Sequence, residues 1–385
     1  MALKMDHDVI IVGAGPIGSY TAKLLAEKGL DVGLFEKNRS IGKDVNCSGI
    51  ISIECFRRFG LPSQSVVRDI NSIKAFSPSG NCIEYRSESP IAHVVDRALF
   101  DQELHIQAAS RGVTTYLDAR VTRIANSGGV FSISVRTGDE DKAFRSRMGV
   151  IATGFDLKTV LGSPGSPKEF VYGVQAEATI EDVNDVEVYF GEKVAPGFFS
   201  WIIPAGERTA RIGLMAKNDA PGLLRRFLNS EHVIRRVRDC SDDLKCSPIP
   251  IGSVAKSYAE RLVVVGEAAG QVKATTGGGI YFGLLCSELA AATAAKAFRT
   301  GDFSNGFLKK YEMEWKTLLD PELRAGMLLR GIFSRFSDRQ INLLIDLAKK
   351  DGFLPIIRRY GFDWHKDIIS YLMSHLMPKN VFKNL

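Results

Sequence analysis

Two glycine-rich turns, far apart in the chain, hold the residues best suited to chemistry. The first is Gly13-Ala14-Gly15-Pro16-Ile17-Gly18, set between an apolar run at Val9–Val12 and a helical pattern over 19–28. Its first glycine permits a tight turn, the second lets backbone approach a pyrophosphate, and the third lets helix and strand pack closely. The helix start presents its positive end to phosphate oxygens. The next apolar run, Val32–Phe35, ends at Glu36, whose carboxylate is placed to accept hydrogen bonds from an adenosine ribose. Gly13, Gly15, Ile17, Gly18 and Glu36 therefore form a dinucleotide-binding fingerprint.

The second turn separates FAD from NAD. The run Leu262–Val265 leads into Gly266-Glu267, and Gly277-Gly278-Gly279 opens a further helical stretch. A second glycine-opened helix suggests a second contact with one large cofactor. Glu267 can bond a ribityl hydroxyl, or more plainly cap a helix. The amides around Gly278, Gly279 and Ile280 can face the flavin O2/N1 edge, which becomes anionic on reduction and is stabilised by a helix N-terminus.

These turns need strands and helices to position them. Val9–Val12, Val32–Phe35, 149–153 and Leu262–Val265 are near-continuous apolar runs, as expected of parallel strands covered on both faces. Helices are expected over 53–59, 96–110 and 223–238, a hairpin over 73–85, and strands at 113–116, 119–125, 130–136 and 142–147. From 170 to 214 the texture changes to long alternating strands of an antiparallel sheet, and after Phe307 it is helical, with breaks at Gly352, Pro355 and Gly361. The expected fold class is α/β: a Rossmann-like FAD-binding domain (1–72, 93–165 and 253–300) interleaved with an antiparallel substrate domain (73–92 and 166–252), plus a C-terminal helical cap (301–385).

Composition agrees with a globular protein. The 385 residues are 45% hydrophobic and 24% charged, enough for a sizeable core and against global disorder. The net charge is +6, and from Pro321 onward 11 Lys and Arg stand against 6 Asp and Glu, so most of the excess lies in the tail. Six scattered Cys without a C-x-x-C read as free thiols in a reducing compartment, with a bridge or metal site at Cys240 and Cys246 left open. The six His form no metal-spaced cluster, and basic residues are not interleaved with aromatics as a nucleic-acid surface would require. With no secretory leader pattern and no apolar run long enough to span a bilayer, the expected location is cytoplasmic, soluble or peripheral on the membrane.

At GAGPIG with Glu36, VVDRALFDQELHIQAASRG (94–112), VIATG (150–154) and VVVGEAAGQVKATTGGGI (263–280), the chain resembles the p-hydroxybenzoate hydroxylase-type FAD flavoproteins. Within that fold, NCSGIIS (46–52), PGFFSWIIP (196–204) and GQVKATTGGGIYFG (270–283) look most like the geranylgeranyl reductase family, which reduces double bonds in isoprenoid chains, including those of archaeal digeranylgeranylglycerophospholipids. The resemblance implies FAD as cofactor, Arg97 at its phosphates or ribityl chain, Val121 on the adenine side, and Cys47, Ser48 and Gly49 close to the isoalloxazine. Two departures stand out: Gly266-Glu267 replaces the family's usual Gly-Asp, and Phe199-Ser200-Trp201-Ile202-Ile203-Pro204 replaces Tyr-x-Trp-x-Phe-Pro. Read without the resemblance, Arg97 is equally an exposed residue at a helix start.

The function this implies is FAD-dependent saturation of isolated C=C bonds in geranylgeranyl lipids, by hydride from reduced flavin plus a proton. Cys47, or a water it positions, is the candidate acid; a small apolar filler is its plainer reading. Phe198, Phe199 and Trp201 either line an apolar tunnel for the lipid or belong to the core. The basic C-terminal helices either cap that tunnel and rest on an anionic membrane or form a packed layer. The electron donor, NAD(P)H or ferredoxin, is not identified by the residues. A flavin hydroxylase using NAD(P)H and O₂ and a non-catalytic lipid-binding flavoprotein are the competing readings. A quinone oxidoreductase lacks its late Cys cluster here, and flavin halogenases are usually longer.

Overall fold

The structure, a computed structural model, describes residues 4–155, 169–350, 362–367 and 369. The apolar runs form the expected parallel core. His7–Val12 lies between Val32–Phe35 and the strand Glu140–Ile151, parallel to both; Thr114–Tyr116 adds a parallel strand on one side and Leu262–Val264 on the other, where the short antiparallel strand Tyr258–Ala259 forms the edge. Val9, Ile10 and Ile11 are fully buried, as strands covered on both faces require.

The strands expected at 142–147 and 149–153 are one. Residues 140–146 of Glu140–Ile151 pair antiparallel with Val130–Thr137, and 146–151 pair parallel with His7–Val12. Gly149 does not break the strand because the Phe131 ring covers it: a Cβ there would lie 2.2 Å from that ring.

A second sheet is antiparallel apart from one parallel pair, Ser72–Phe76 with Val186–Tyr189, and runs from Val237–Cys240 through Glu169–Ile180, Thr209–Ala216 and Ser200–Pro204 to the hairpin partner Cys82–Arg86. Lys245–Ile251 also pairs with Glu169–Ile180, on the edge, where Pro248 and Pro250 are tolerated. A small sheet of Ile50–Ser52, Ala92–Val95 and Val66–Ile70, not foreseen from sequence, joins the loop after Glu36 to the helix Arg97–Ala109.

One expectation needs correction, and the question left open at Cys240 and Cys246 closes in favour of free thiols. The helix expected over 223–238 is Ala220–Leu228; Asn229 and Ser230 bond back to the Arg225 and Phe227 carbonyls, and the rest becomes turns and the strand Val237–Cys240. Asn and Ser compete for backbone groups and so end helices. Cys240 and Cys246 are both free, opposite Ala178 and Val174 of the same strand. Four residues of strand separate positions by about 13 Å, beyond disulfide reach. Helix Asn305–Phe333 runs unbroken through Pro321; the breaks expected at Gly352, Pro355 and Gly361 lie outside the described residues.

The two glycine-opened helices, Pro16–Ala26 and Ile280–Thr300, pack side by side. Ile17 fills the notch left by two glycines: a Cβ at Gly283 would sit 2.5 Å from Ile17 Cδ1, and one at Gly266 3.3 Å from Ile17 Cγ2. One turn further, the buried Thr21 hydroxyl donates to Ser287 Oγ at 2.9 Å.

Candidate functional site

At the fingerprint turn the glycines are dictated by contact distance. Gly13 has φ 100°, and its Cβ would lie 2.5 Å from the Ala152 carbonyl oxygen; a Cβ on Gly18 would lie 1.8 Å from the Gly13 oxygen. Gly15 faces open space, with nothing within 4 Å of its Cβ position, and no side chain caps helix Pro16–Ala26. The first amides of that helix have no partner within it, which leaves a cradle suited to pyrophosphate. The Glu36 carboxylate is already oriented, accepting from Ala14 N and Asn38 N at 3.0 Å each. The Ala119 N–H donates to the Glu36 carbonyl at 2.8 Å, and Val121, two residues on, is half-buried.

Glu267 is not the last residue of its strand but lies in a single 3-10 turn, Gly266–Ala269, just after Leu262–Val264. Its side chain passes between two glycines, with Oε2 3.5 Å from the Gly154 Cβ position and Cγ 3.5 Å from that of Gly279. Burial raises its carboxyl above the usual range, against the opposing pull of Arg97. Behind this turn Gln271, fully buried, accepts from Gly266 N at 2.7 Å and donates to Tyr311 Oη, which in turn donates to the Val264 carbonyl. Beyond it the Lys273–Gly278 loop is closed by Lys273 N to Gly278 O and Gly277 N to Lys273 O. Helix Ile280–Thr300 then starts at Gly279 with no side-chain cap, so Gly278, Gly279 and Ile280 stand at a second bare helix N-terminus.

The Cys47 loop is held residue by residue from the antiparallel sheet. Asn46 Nδ2 donates to the Gly173 carbonyl at 3.2 Å, Gln175 Nε2 to the Cys47 carbonyl at 3.3 Å, and Arg211 Nη1 to the Ser48 carbonyl at 2.9 Å. Gly49 has φ 79°, and its Cβ would collide with Arg211 Nη1 and the Val95 oxygen. Its N–H points at Cys47 Sγ, 3.4 Å away. Gln175, Gly213 and Trp201 stand in one row across three strands. Because Gly213 has no side chain, the Trp201 ring lies over it and its Nε1–H reaches Gln175 Oε1 at 3.3 Å.

Arg97 is not exposed: its side chain is 11% accessible. It grips Asp101 through Nη2, at 2.9 and 3.2 Å from the two carboxylate oxygens, and lies beside the Cys47 sulfur. Burial works against its charge, but the Asp101 carboxylate outweighs it and raises the guanidinium. A cavity of about 300 Å³ opens here, lined by Asp44, Cys47, Arg97, Gln175, Glu177, Arg211 and Lys245, and so polar rather than greasy. The apolar feature is a line of rings: Trp201, Phe199, Phe190, Phe333 and Phe336, with neighbouring centroids 5.3 to 6.1 Å apart. Phe198 and Phe199 precede strand Ser200–Pro204 instead of lying in it; Phe198 is buried, with the Arg330 guanidinium 4.5 Å from its ring centre.

Sequence reasoning missed Gln175, Arg211, Gln271 and Lys273. Each is a long polar residue inside an otherwise apolar or small-residue stretch, and that mismatch was the available signal.

Residues 7–195 match the family model described as pyridine nucleotide-disulphide oxidoreductase. Among solved structures, a geranylgeranyl bacteriochlorophyll reductase-like protein of Thermoplasma acidophilum superposes with a TM-score of 0.88 at 21% identity, over 98% of both chains. The halogenase PltM, solved in complex with FAD, shares the fold at a TM-score of 0.70 and 13% identity, over 98% of this chain and 94% of its own. The digeranylgeranylglycerophospholipid reductase of Methanocaldococcus jannaschii is 33% identical over 357 residues, 88% of this chain and 90% of that one. With that relationship across nearly its whole length, the chain belongs to the digeranylgeranylglycerophospholipid reductase family of FAD-dependent oxidoreductases.

Proposed function

We propose that this chain saturates isolated carbon–carbon double bonds in the geranylgeranyl chains of isoprenoid ether lipids. The observation that carries the reading is the bonded path from Trp201 through Gln175 to the Cys47 carbonyl, which joins one end of the line of aromatic rings to the Cys47 loop. Gly13, Gly15, Ile17, Gly18 and Glu36 hold the adenosine and pyrophosphate of FAD; Arg97, Val121 and Glu267 flank its middle; Cys47, Ser48, Gly49, Gly278, Gly279 and Ile280 border the isoalloxazine.

Reduced FAD supplies the hydride taken by one alkene carbon. An unactivated alkene accepts hydride poorly, so the second carbon must receive a proton as transfer proceeds. Cys47 Sγ is our candidate donor. The Gly49 N–H and the Arg97 guanidinium both lie beside the sulfur. The aromatic line gives the lipid chain an apolar path, where each CH₂ removed from water contributes about 0.8 kcal/mol. It also keeps water from the reacting carbons. Phe198, Phe199 and Trp201 are the proposed substrate contacts.

We also propose peripheral contact with an anionic membrane. No helix among the described residues is long and apolar enough to cross one. On helices Asn305–Phe333 and Asp338–Lys350, however, Leu328 is 51% exposed and Leu343 58%, on elements that also carry Arg324, Arg330 and Arg339.

The direct test is anaerobic: the FAD-loaded protein is reduced, mixed with unsaturated polyprenyl lipids of several head groups, and the products are weighed. Pairs of added hydrogens with reoxidation of the flavin are expected. Lipid binding without reoxidation would favour a non-catalytic flavoprotein, and substrate-stimulated O₂ uptake a hydroxylase. Cys47→Ala should slow lipid reduction by about 10²-fold, the lower range for a general acid, with FAD retained; a rate within twofold of the parent removes Cys47 from the role. Because burial raises the Glu267 carboxyl, the folded state prefers its proton, and the stability it contributes at low pH is lost as pH rises through the raised value. Glu267→Gln should therefore stabilise the FAD-free protein at pH 7, bring no gain below the ordinary Glu range, and weaken FAD binding; equal stability at pH 7 contradicts the burial argument. Vesicles containing anionic lipid should sediment the protein at low salt and release it as salt screens the basic helices; binding to neutral vesicles alone would leave only the apolar contribution.

A further inference from the structure

The segment 362–366 packs on residues that flank the glycine triplet, Lys273 and Thr275 before it and Tyr281 and Phe282 after it, and its contacts are unusually polar for a buried position. Asp363 is 4% exposed, and its Oδ1 lies 2.5 Å from the Nζ of Lys273, itself 7% exposed. The other oxygen of Asp363 accepts the Ser52 hydroxyl. Ser52 closes the strand that follows Cys47–Gly49 and caps helix Ile53–Phe59, its Oγ accepting from Cys55 N at 3.0 Å. One carboxylate thus grips two segments that are otherwise remote in sequence: the one after the Cys47 loop and the one before the Gly277–Gly279 triplet.

Neighbouring contacts reinforce the grip. Lys273 Nζ also donates to the Phe362 carbonyl at 3.4 Å. His365 Nδ1 and Thr275 Oγ1 are 2.8 Å apart. Trp364 packs edge-on to Tyr281 and beside Phe282, in the first turn of helix Ile280–Thr300. The segment is itself tied down by Glu322 Oε2, which accepts from His365 N and Lys366 N at 2.9 Å each. A buried ion pair adds little net stability compared with an apolar pair of the same volume. Its value lies in direction: two charges and a hydroxyl with fixed geometry set the separation of the segments that carry them.

We propose that Asp363 is a positioning residue that clasps both isoalloxazine-facing segments, 47–52 and 271–279, and so makes the C-terminal segment a working part of the flavin site. The proposal rests on the reading above that these two segments border the flavin. It acts through Ser52 and Lys273 and has no contact of its own with the reacting atoms.

The test uses the full chain, with hydrogen exchange measured on the FAD-free protein and FAD affinity by fluorescence. Asp363→Asn should speed amide exchange at least tenfold in both 47–52 and 271–279 and weaken FAD at least tenfold. Lys273→Met with Asp363→Leu should recover the thermal midpoint, since no unpaired charge is left buried, yet keep 47–52 loose and FAD weak. Thr275→Val, a milder change, should loosen 271–279 and leave 47–52 as it was. Unchanged exchange in either segment of Asp363→Asn, or parental FAD affinity in the double variant, overturns the clasp. If both segments loosen while FAD binds as tightly as before, the reading that they border the flavin falls, and the clasp's role in the site falls with it.

Discussion

Everything at the site depends on Ile17 lying in the notch between Gly266 and Gly283. A side chain on either glycine would collide with Ile17 and force helix Pro16–Ala26 away from the Gly266 turn and from helix Ile280–Thr300. Packing at this density leaves no slack for such a shift. The Thr21–Ser287 hydrogen bond, fully buried one turn on, fixes the rotation of one helix against the other as Ile17 fixes their distance. From this contact follow the positions of the Gly13–Gly18 turn, of Glu267 between Gly154 and Gly279, and of the glycine triplet.

The antiparallel sheet contributes side chains instead of backbone. Asn46, Cys47 and Ser48 have no regular structure of their own; their places come from Gly173, Gln175 and Arg211 on neighbouring strands. A buried guanidinium or amide must find partners or cost the fold its desolvation, so Arg211 and Gln175 can settle only where those carbonyls are. Gly213 makes the arrangement possible by giving up the space that Trp201 crosses. The same need to satisfy buried polar groups explains the Gln271–Tyr311–Val264 relay behind the second turn.

Much of this was legible in the residues. Gly13 to Gly18 with Glu36 prescribes strand, turn, helix and strand, and those elements are present. Ile53–Phe59 stands as expected because Ser52 caps it and Gly60 ends it with φ 57°. Local patterns were less able to reveal events decided across the fold. Glu140–Ile151 reads as two strands because nothing nearby announces that its halves serve different partners. Residues 229–238 look helical by apolar spacing, but the free edge of Glu169–Ile180 recruits Val237–Cys240 as a strand. The polar anchors were visible as anomalies, yet their targets were not, since Gln175 and Cys47 or Lys273 and Asp363 meet only through tertiary packing.

One feature of the parallel sheet bears on how the protein is made. Leu262–Val264 closes the edge of Glu140–Ile151, and that edge comprises Gly149, Val150 and Ile151, fully or almost fully buried in the finished chain where apolar. On the ribosome these residues emerge long before their partner. Until residue 264 leaves the exit tunnel, the nascent polypeptide carries an unpaired apolar strand edge, the kind of template that invites mispairing with other chains. Closure of the parallel sheet is thus timed by translation of Leu262–Val264, so a pause between residues 151 and 262 is the interval in which a chaperone would matter most.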